Sequence, residues 1–256
     1  MVRKKKSDKH AAPVVQTFEE LESLGDRMAQ WIAAHAALVA ILVVLLLISA
    51  GSIQAYRSAT RASTEEASNA LARVHDAYLL AMGASPANLE IPELANPDTQ
   101  AGVREDFSKR FAEVANSNAG TVQAALAWLE SGDLLGETGD RDAATEAWRK
   151  GLESVPKNAS VRGTLLVRIA SDQEDRGNWQ EAADTHVEAS NLERYPLRYW
   201  AMADAARCFD RAGDTARALE LLEQVEKDKP RLQLPEYMRA RLNELRAIEK
   251  SRVQTG

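Results

Sequence analysis

The chain has 256 residues, of which 45% are hydrophobic and 27% are charged, and its formal net charge is −6 at pH 7. This composition is typical of a folded protein, and the acidic balance argues against a nucleic-acid-binding surface, which needs a basic excess. Its one cysteine, Cys208, excludes an internal disulfide and a cysteine-based zinc site. Because Ala, Leu, Glu and Arg abound and turn residues are sparse, we predict an all-α fold.

The N-terminal tail, residues 1–30, contains a predicted amphipathic helix. Thr17 followed by Glu20 fits a capping box, in which each side chain satisfies a backbone N–H of the first turn. Apolar residues then recur at spacings of three and four and share one face: Phe18, Leu21, Leu24, Met28 and Trp31. Two interpretations stay open: a helix lying on the membrane surface, or a docking helix for a membrane partner.

The next segment, residues 31–56, is a predicted transmembrane anchor. No Asp, Glu, Lys or Arg occurs between residues 28 and 56, and this length spans a bilayer. Its aliphatic residues contribute about −3 to −6 kcal/mol on the insertion scale, and aromatic rings at both ends favour the headgroup level. The run is longer than the apolar core of a signal peptide, and about thirty residues precede it, so we predict retention. The residues that define the anchor are Trp31, Leu38, Leu42, Leu46 and Tyr56.

The basic residues on the two sides of the anchor predict its orientation. Six lie before it and two lie just after it: Arg3, Lys4, Lys5, Lys6, Lys9 and Arg27, against Arg57 and Arg61. Because Lys and Arg in short loops stay in the cytoplasm, we predict a cytoplasmic N-terminus and residues 57–256 outside the cytoplasm. The alternative places the remainder in the cytoplasm as a signalling scaffold.

Three stretches of the sequence begin alike, with Gly, then Asp or Asn, then Ala five residues after the Gly. They are "GDRDAATEAW" from Gly139, "GNWQEAADTH" from Gly177 and "GDTARALELL" from Gly213, at intervals of 38 and 36 residues. Periods of this size indicate stacked units. We predict that each Gly ends the first helix of a unit, and that the small Ala lets the second helix pack closely against it.

The units resemble the tetratricopeptide repeat, a helix–turn–helix pattern of about 34 residues. The first unit matches the pattern at eight places, the third is nearly complete, and the second departs from it at Gln173, His186 and Pro196. The eight residues of the first unit are Trp128, Gly132, Leu135, Gly139, Ala144, Trp148, Gly151 and Pro156. The third has Met202, Ala206, Phe209, Gly213, Ala218, Leu222, Val225 and Pro230 at the same places.

These patterns divide the chain into an anchored helical-repeat stack, or α-solenoid. Upstream of the three units we predict a degenerate unit with helices at about 64–82 and 104–116. Downstream, an amphipathic helix suits the solvating cap that an open stack requires. The predicted order is a cytoplasmic tail at 1–30, the anchor at 31–56, the degenerate unit at 57–118 with a loop at 84–103, three repeats at 119–232, and a capping helix and tail at 233–256.

No catalytic, metal or cofactor site is predicted. The glycines of "GDLLGETG" lack the preceding strand and the Lys-Ser/Thr of a phosphate loop, and Cys208 reads as an inert, half-buried thiol. The four histidines are scattered without paired carboxylates: His10, His35, His75 and His186. We therefore predict a non-enzymatic protein with no small-molecule substrate. An enzyme that uses Cys208 or His186 stays an alternative.

The remaining candidate is a protein-binding groove lined by the first helices of the units. Its predicted residues are Leu126, Leu129, Asp133, Glu137, Val167, Ser171, Glu174, Trp200, Arg207 and Arg211. Repeats that clamp a peptide carboxylate carry Lys and Asn on this face, whereas this chain has Leu129, Val167 and Ala203 at the fifth place of each unit. We expect either an apolar peptide on Trp200 and its neighbours, with Arg207 and Arg211 as a polar rim, or a merely solvated groove.

The layout as a whole resembles a family, the bacterial ancillary subunits of the SecYEG translocon. The stretches that carry the resemblance are "FEELESLGDRMAQWIAAHAALVAILVV", "FSKRFAEVANSNAGTVQAALAWLESGDLL" and the repeats. The resemblance implies an inner-membrane protein with periplasmic repeats. It implies translocon subunits, periplasmic chaperones or exported chains as partners. An assembly factor for another envelope complex, such as a pilus or the cytochrome c maturation machinery, is the alternative.

Overall fold

The computed structural model describes residues 27–84 and 93–255, of which the last four are described by their backbone alone. Within these residues the chain forms ten helices and no strand, as the composition predicts. The first four are α1 at 27–34, α2 at Ala36–Ala81, α3 at Pro97–Ser117 and α4 at Val122–Glu137. The next three are α5 at Arg141–Glu153, α6 at Val161–Asp175 and α7 at Trp179–Ser190. The last three are α8 at Arg198–Ala212, α9 at Thr215–Asp228 and α10 at Glu236–Thr255.

The chain divides into two compact units, Met1–Arg61 and Ala62–Gly256. In the first unit, the predicted capping box and the first three apolar residues of the amphipathic helix lie outside the described residues. A turn at His35 separates α1 from α2, and the backbone N–H of His35 still donates to the carbonyl of Trp31 at 3.0 Å. By length and composition, α2 is the one helix in the described part of the chain that could cross a membrane. Its large aliphatic side chains between residues 41 and 48 are all exposed.

The predicted loop at 84–103 ends earlier than expected, because α3 begins at Pro97 rather than at 104. The side chain of Asn96 accepts hydrogen bonds from the backbone N–H groups of Asp98 and Thr99, at 2.9 and 3.3 Å. Asn is a favoured cap, and proline suits the first helical position because its missing N–H would be unpaired there anyway. The Asn-Pro pair that we interpreted as loop therefore starts the helix.

The turn inside each repeat is built in one way. Gly139, Gly177 and Gly213 have φ values of +89°, +78° and +91°, a conformation that only glycine adopts readily. The next residue then donates its N–H to a carbonyl five residues back, which closes the first helix. The pairs are Asp140 to Leu135 at 3.0 Å, Asn178 to Gln173 at 2.8 Å and Asp214 to Phe209 at 2.9 Å. The prediction for these glycines is confirmed.

The degenerate unit ends its first helix in the same way. Gly83 has a φ of +79°, and the N–H of Ala84 donates to the carbonyl of Leu79 at 2.8 Å. Around this turn, Tyr78 and Met82 pack with Phe107 and Phe111 of α3. Residues 62–84 and 93–117 thus contain a helical pair with the repeat's turn geometry but without its sequence motif.

Small residues allow close crossing inside the units. Ala144, Ala182 and Ala218, each five residues after a turn glycine, are fully buried. An added Cβ at Gly132 would lie within 2.9 Å of three ring atoms of Trp148. Because packed side chains leave few voids, these positions fix how closely the two helices of a unit approach.

The stack ends in α10, whose buried Met238, Leu242 and Leu245 continue the core formed by α8 and α9. On the polar side of α10, Arg246 forms ion pairs with Glu223 and Glu226 of α9, at 3.0 and 2.8 Å. This arrangement suits the predicted cap, because it covers the apolar end of an open stack with a helix that is charged on its outer side.

Candidate protein-binding surface on the first helices

The first helices of the three repeats, α4, α6 and α8, form one face of the stack, because α4 contacts α6 and α6 contacts α8. All ten predicted groove residues lie on these helices. Four of them are exposed: Leu126, Glu137, Ser171 and Arg211. The other six are half-buried: Leu129, Asp133, Val167, Glu174, Trp200 and Arg207.

An apolar strip runs along the N-terminal halves of these helices. Leu126 is 36% exposed. Leu129, Val167 and Trp200 each pack on a buried cluster while keeping part of their surface in solvent. Ala203, the fifth-place residue of the third unit, is buried instead. The strip offers shallow apolar contact to a partner rather than a deep pocket.

A ladder of three ion pairs lies beside the strip and joins α4 to α6, α6 to α8 and α8 to α10. Asp133 of α4 binds Arg168 of α6 with contacts of 2.9 and 3.0 Å. Glu174 of α6 binds Arg207 of α8 at 2.6 and 2.9 Å. The last rung joins Asp210 of α8 to Arg241 of α10 at 2.9 and 2.8 Å. Each rung is bidentate, which is the strong geometry for a guanidinium and a carboxylate.

The ladder corrects the predicted role of Arg207, since its guanidinium is occupied by Glu174 and is not free to bind a peptide. Sequence reasoning selected Asp133 and Glu174 but missed Arg168 and Arg241. The signal that was available is the separation of the partners, at 35, 33 and 31 residues, which is close to the repeat period. Such a spacing places one residue beside another on neighbouring first helices.

Arg211 is exposed near the C-terminal end of α8, and its place at the rim of a peptide site stays a prediction. Its guanidinium lies 5.5 Å from the ring centre of Trp179, and within the described residues it makes no ion pair. It borders a pocket of about 230 Å³ between α8 and α10, together with the exposed ring of Tyr237. A cation beside an aromatic ring and an apolar pocket suits a peptide side chain that has an apolar body and a negative end.

In two rungs of the ladder, the carboxylate also accepts a hydrogen bond from an aromatic ring on the second helix of the same unit. Trp148 donates its Nε1–H to Asp133 at 3.1 Å, and Nε2 of His186 lies 2.8 Å from Oε1 of Glu174. Both rings stand nine residues after their turn glycine. His186 therefore occupies the tryptophan position of its unit, and the geometry assigns the proton to Nε2. Its buried Nδ1 has no partner in the described part of the chain.

The structure gathers Glu174, His186 and Cys208 into one cluster, which the scattered sequence positions did not predict. One donor atom from each lies within 4.8 Å of the others, a set of groups that metals bind. Both oxygens of Glu174, however, already face the guanidinium of Arg207, and a metal ion there would meet that positive charge. The cluster fits the hydrogen-bonded core of a ladder rung better than a metal centre.

The electrostatics of the cluster follow from its burial and its charges. Burial alone would raise the pKa of Glu174, but hydrogen bonds from His186 and Arg207 outweigh it and lower the pKa to about 2. Burial, together with the negative charge of Glu174, raises the pKa of the Cys208 thiol to about 12. At neutral pH Glu174 is ionised and Cys208 is protonated.

Cys208 is expected to react with iodoacetamide at least about 100-fold more slowly in the folded chain than in urea. The thiolate is the nucleophile, and here it is both scarce and fully buried. Mass spectrometry of the full chain at pH 8 measures the rate, and the urea-unfolded chain is the control. Alkylation rates of the folded and unfolded chains within tenfold of each other would contradict the prediction. They would also favour the alternative of an enzyme that uses Cys208.

The antiparallel helix pairs, the glycine turns and the buried alanines define a tetratricopeptide-type repeat stack, a class whose exposed faces bind other proteins. The family model described as a tetratricopeptide repeat-like domain matches residues 29–200. This chain belongs to the tetratricopeptide repeat-like domain family. A search of curated proteins found no match.

Solved structures of similar fold share little sequence with this chain. A Podosopora anserina putative kinesin light chain with TPR-like repeats is 16% identical, with a TM-score of 0.45 over 60% of this chain and 83% of that one. The Pseudomonas aeruginosa pilF structure is 18% identical, with a TM-score of 0.45 over 72% of each chain.

Proposed function

We propose that this protein is a membrane-anchored scaffold whose repeats bind another protein outside the cytoplasm, at the translocon. One observation carries the proposal: a single helix, α2, begins as an exposed apolar stretch of membrane-spanning length and ends inside a repeat domain. Exposed aliphatic side chains in such number need a lipid or protein environment. A repeat domain on the same helix is thereby held at the membrane, and the resemblance of the sequence to translocon subunits supports a partner there.

The binding surface that we propose is the apolar strip at Leu126, Leu129, Val167 and Trp200. Aromatic and aliphatic anchors surrounded by polar residues are typical of interface hot spots. The carboxylates and guanidiniums of the ion-pair ladder neutralise one another beside the strip, so a partner on the strip meets mainly apolar side chains. An apolar segment of a periplasmic chaperone or of an exported chain has that chemistry.

The orientation of the anchor is tested by protease added to intact spheroplasts. A C-terminally tagged chain should be digested, leaving at most a small N-terminal fragment, because the basic residues before the anchor favour a cytoplasmic N-terminus. A lysed sample is the control that the repeats can be cut at all. A domain that survives in spheroplasts and is digested after lysis would place the repeats in the cytoplasm and contradict the proposal.

The partner is tested by photo-crosslinkers placed in the strip, at Leu126 and Trp200, in the intact membrane. Products with translocon subunits and periplasmic chaperones are expected. Arg149, exposed on the second helix α5, is the matched control and should give neither. Products with pilus or cytochrome c assembly proteins in place of the translocon would redirect the proposal to that machinery.

A further inference from the structure

A second groove lies away from the first-helix face, between α3 and α5. Both helices pack on α4, and between them they leave a groove of about 830 Å³. Its floor is formed by Trp128, Ser131 and Leu135 of α4. The walls carry small side chains: Ala101, Gly102, Ser108 and Ala112 on α3, and Ala143 and Ala147 on α5. Leu135 is the half-buried residue of the floor, whereas Trp128 and Ser131 are buried. A Cβ added at Gly102 would meet nothing within 4 Å.

The corresponding groove one unit further along, between α5 and α7, is polar and bridged. Arg176 on its floor binds Asp142 and Asp172, each at 2.8 Å, and Thr185 donates to Gln173 at 2.8 Å. These bonds tie its floor to both walls, and its volume is about 420 Å³.

The first groove carries different residues at the same places. Leu135 and Thr138 stand 38 residues before Gln173 and Arg176, so neither position supplies a bridging cation or amide. The floor of the first groove contacts its walls through neutral groups and one lysine: Ser131 donates to the carbonyl of Ser108 at 2.8 Å, and Nζ of Lys150 lies 5.2 Å from the ring centre of Trp128. The first groove therefore lacks the guanidinium bridge of the second, and its volume is larger, at about 830 Å³ against about 420 Å³.

The charges along the first groove are unequal. Four acidic residues and two basic residues line it: Asp98, Glu105, Asp140 and Glu146, against Lys109 and Lys150. Each lysine is already paired with a glutamate of its own helix, at 2.8 Å to Glu105 and 2.7 Å to Glu146. The excess is negative, and the side chains of Glu105 and Glu146 remain 61% and 67% exposed.

The backbone around the groove decides which kind of segment it can take. The main chains of α3, α4 and α5 are hydrogen-bonded within their own helices and offer no partner to an extended peptide, whose buried N–H and C=O groups would stay unpaired. A helix satisfies its backbone internally. The lined part of α3, from Ala101 to Ala112, is about 16 Å long, or three turns.

We propose that this groove binds a basic amphipathic helix of another protein. The apolar face of that helix packs on Leu135 and on the alanines of the two walls. Its lysines or arginines share the exposed carboxylates of Glu105 and Glu146 with Lys109 and Lys150, in the helix-in-groove mode. This surface lies on the second helices and is independent of the strip on the first helices. The proposal therefore stands or falls separately from the proposed function.

The test uses the full chain in nanodiscs of zwitterionic lipid. The probe is an 18-residue amphipathic Lys/Leu helix, and its Glu/Leu counterpart and a scrambled Lys/Leu peptide of the same composition are comparisons. A fluorophore on Gly102→Cys reports binding, because native Cys208 is buried and unreactive. A fluorophore on Glu181→Cys, in the bridged groove, is the matched control, and empty nanodiscs measure peptide bound to lipid.

The expected result is micromolar binding of the Lys/Leu helix, reported from position 102 and not from position 181. A second measurement uses unlabelled protein and fluorophore-labelled peptide. In it, Gly102→Trp should weaken binding at least tenfold, because the indole ring fills the groove. The matched Glu181→Trp should leave it unchanged. The double variant Glu105→Lys, Glu146→Lys should bind the Lys/Leu helix at least tenfold more weakly and bind the Glu/Leu helix more tightly. The double variant Glu153→Lys, Glu249→Lys changes the net charge by the same amount away from the groove, and its affinity for both peptides should be unchanged.

Three outcomes would overturn the proposal. They are no binding in the micromolar range, binding that Gly102→Trp leaves unchanged, and equal loss in both charge-reversed chains, which would indicate attraction to net charge alone. Circular dichroism of each variant confirms folding, and the exposure of residues 102, 105 and 146 makes misfolding an unexpected cause of lost binding.

Discussion

Replacing Gly132 with alanine is expected to destabilise the repeat domain by about 2 kcal/mol, within the range for overpacked cores. The added methyl group would overlap the indole ring of Trp148, which is only 7% exposed and is held by its hydrogen bond to Asp133. Alanine is the better helix former by about 1 kcal/mol, so the net loss is smaller than the steric cost. Urea unfolding of the full chain in nonionic detergent, followed by tryptophan fluorescence, measures the change.

Gly136, one turn further along the same helix, provides the matched control. A Cβ there would meet Ala144 at 3.8 Å and the same indole ring at 3.9 Å, which is ordinary contact, so Gly136→Ala should be neutral or stabilise by up to about 1 kcal/mol. Gly139→Ala tests a different cause, because its φ of +89° strains any other residue and should cost about 1 kcal/mol. Equal effects at 132 and 136 would contradict the role of the ring.

The glycines and alanines of the units could be predicted from sequence because their roles are local. A turn glycine is required by the backbone of its own turn, and a buried alanine by the helix a few residues away. The same reasoning predicted the long apolar helix, because length and composition alone define a helix that could cross a membrane. It misplaced the start of α3, where an Asn-Pro pair reads equally well as loop or as helix cap.

The ladder could not be predicted with the same certainty, because its arginines have no fixed place in the repeat. Arg168, Arg207 and Arg241 stand at different positions of their helices, and several acidic residues on each first helix compete as partners. The groove between α3 and α5 was missed for a related reason. One wall belongs to the degenerate unit, which has no motif from which to assign a register, and small residues on a helix indicate a close neighbour as readily as an open surface.

The second large effect is expected at Glu174, the carboxylate at the centre of the middle rung. Glu174→Gln should lower the free energy of unfolding by about 1–3 kcal/mol at pH 7, because the partly buried Arg207 loses its bidentate carboxylate and keeps only the longer contact with Asp204, at 3.3 Å. Glutamine keeps an oxygen that can accept from His186, so this change isolates the charge. Asp175→Asn is the control, because its pair with Arg141 is exposed on both sides and should be worth less than about 1 kcal/mol.

The pH dependence of stability separates the Glu174 carboxylate from the packing around it. Its pKa falls from 4.5 in the unfolded chain to about 2 in the folded one, so the stabilisation is fully present above pH 4.5 and is lost as the pH falls toward 2. Partial exposure reduces this contribution to about 1–3 kcal/mol. Other carboxylates titrate in the same window, so the informative quantity is the difference between wild type and Glu174→Gln. That difference should shrink between pH 5 and pH 3. A difference that stays constant with pH would mean that Glu174 stabilises the contact between the two units by packing and hydrogen bonding rather than by its charge.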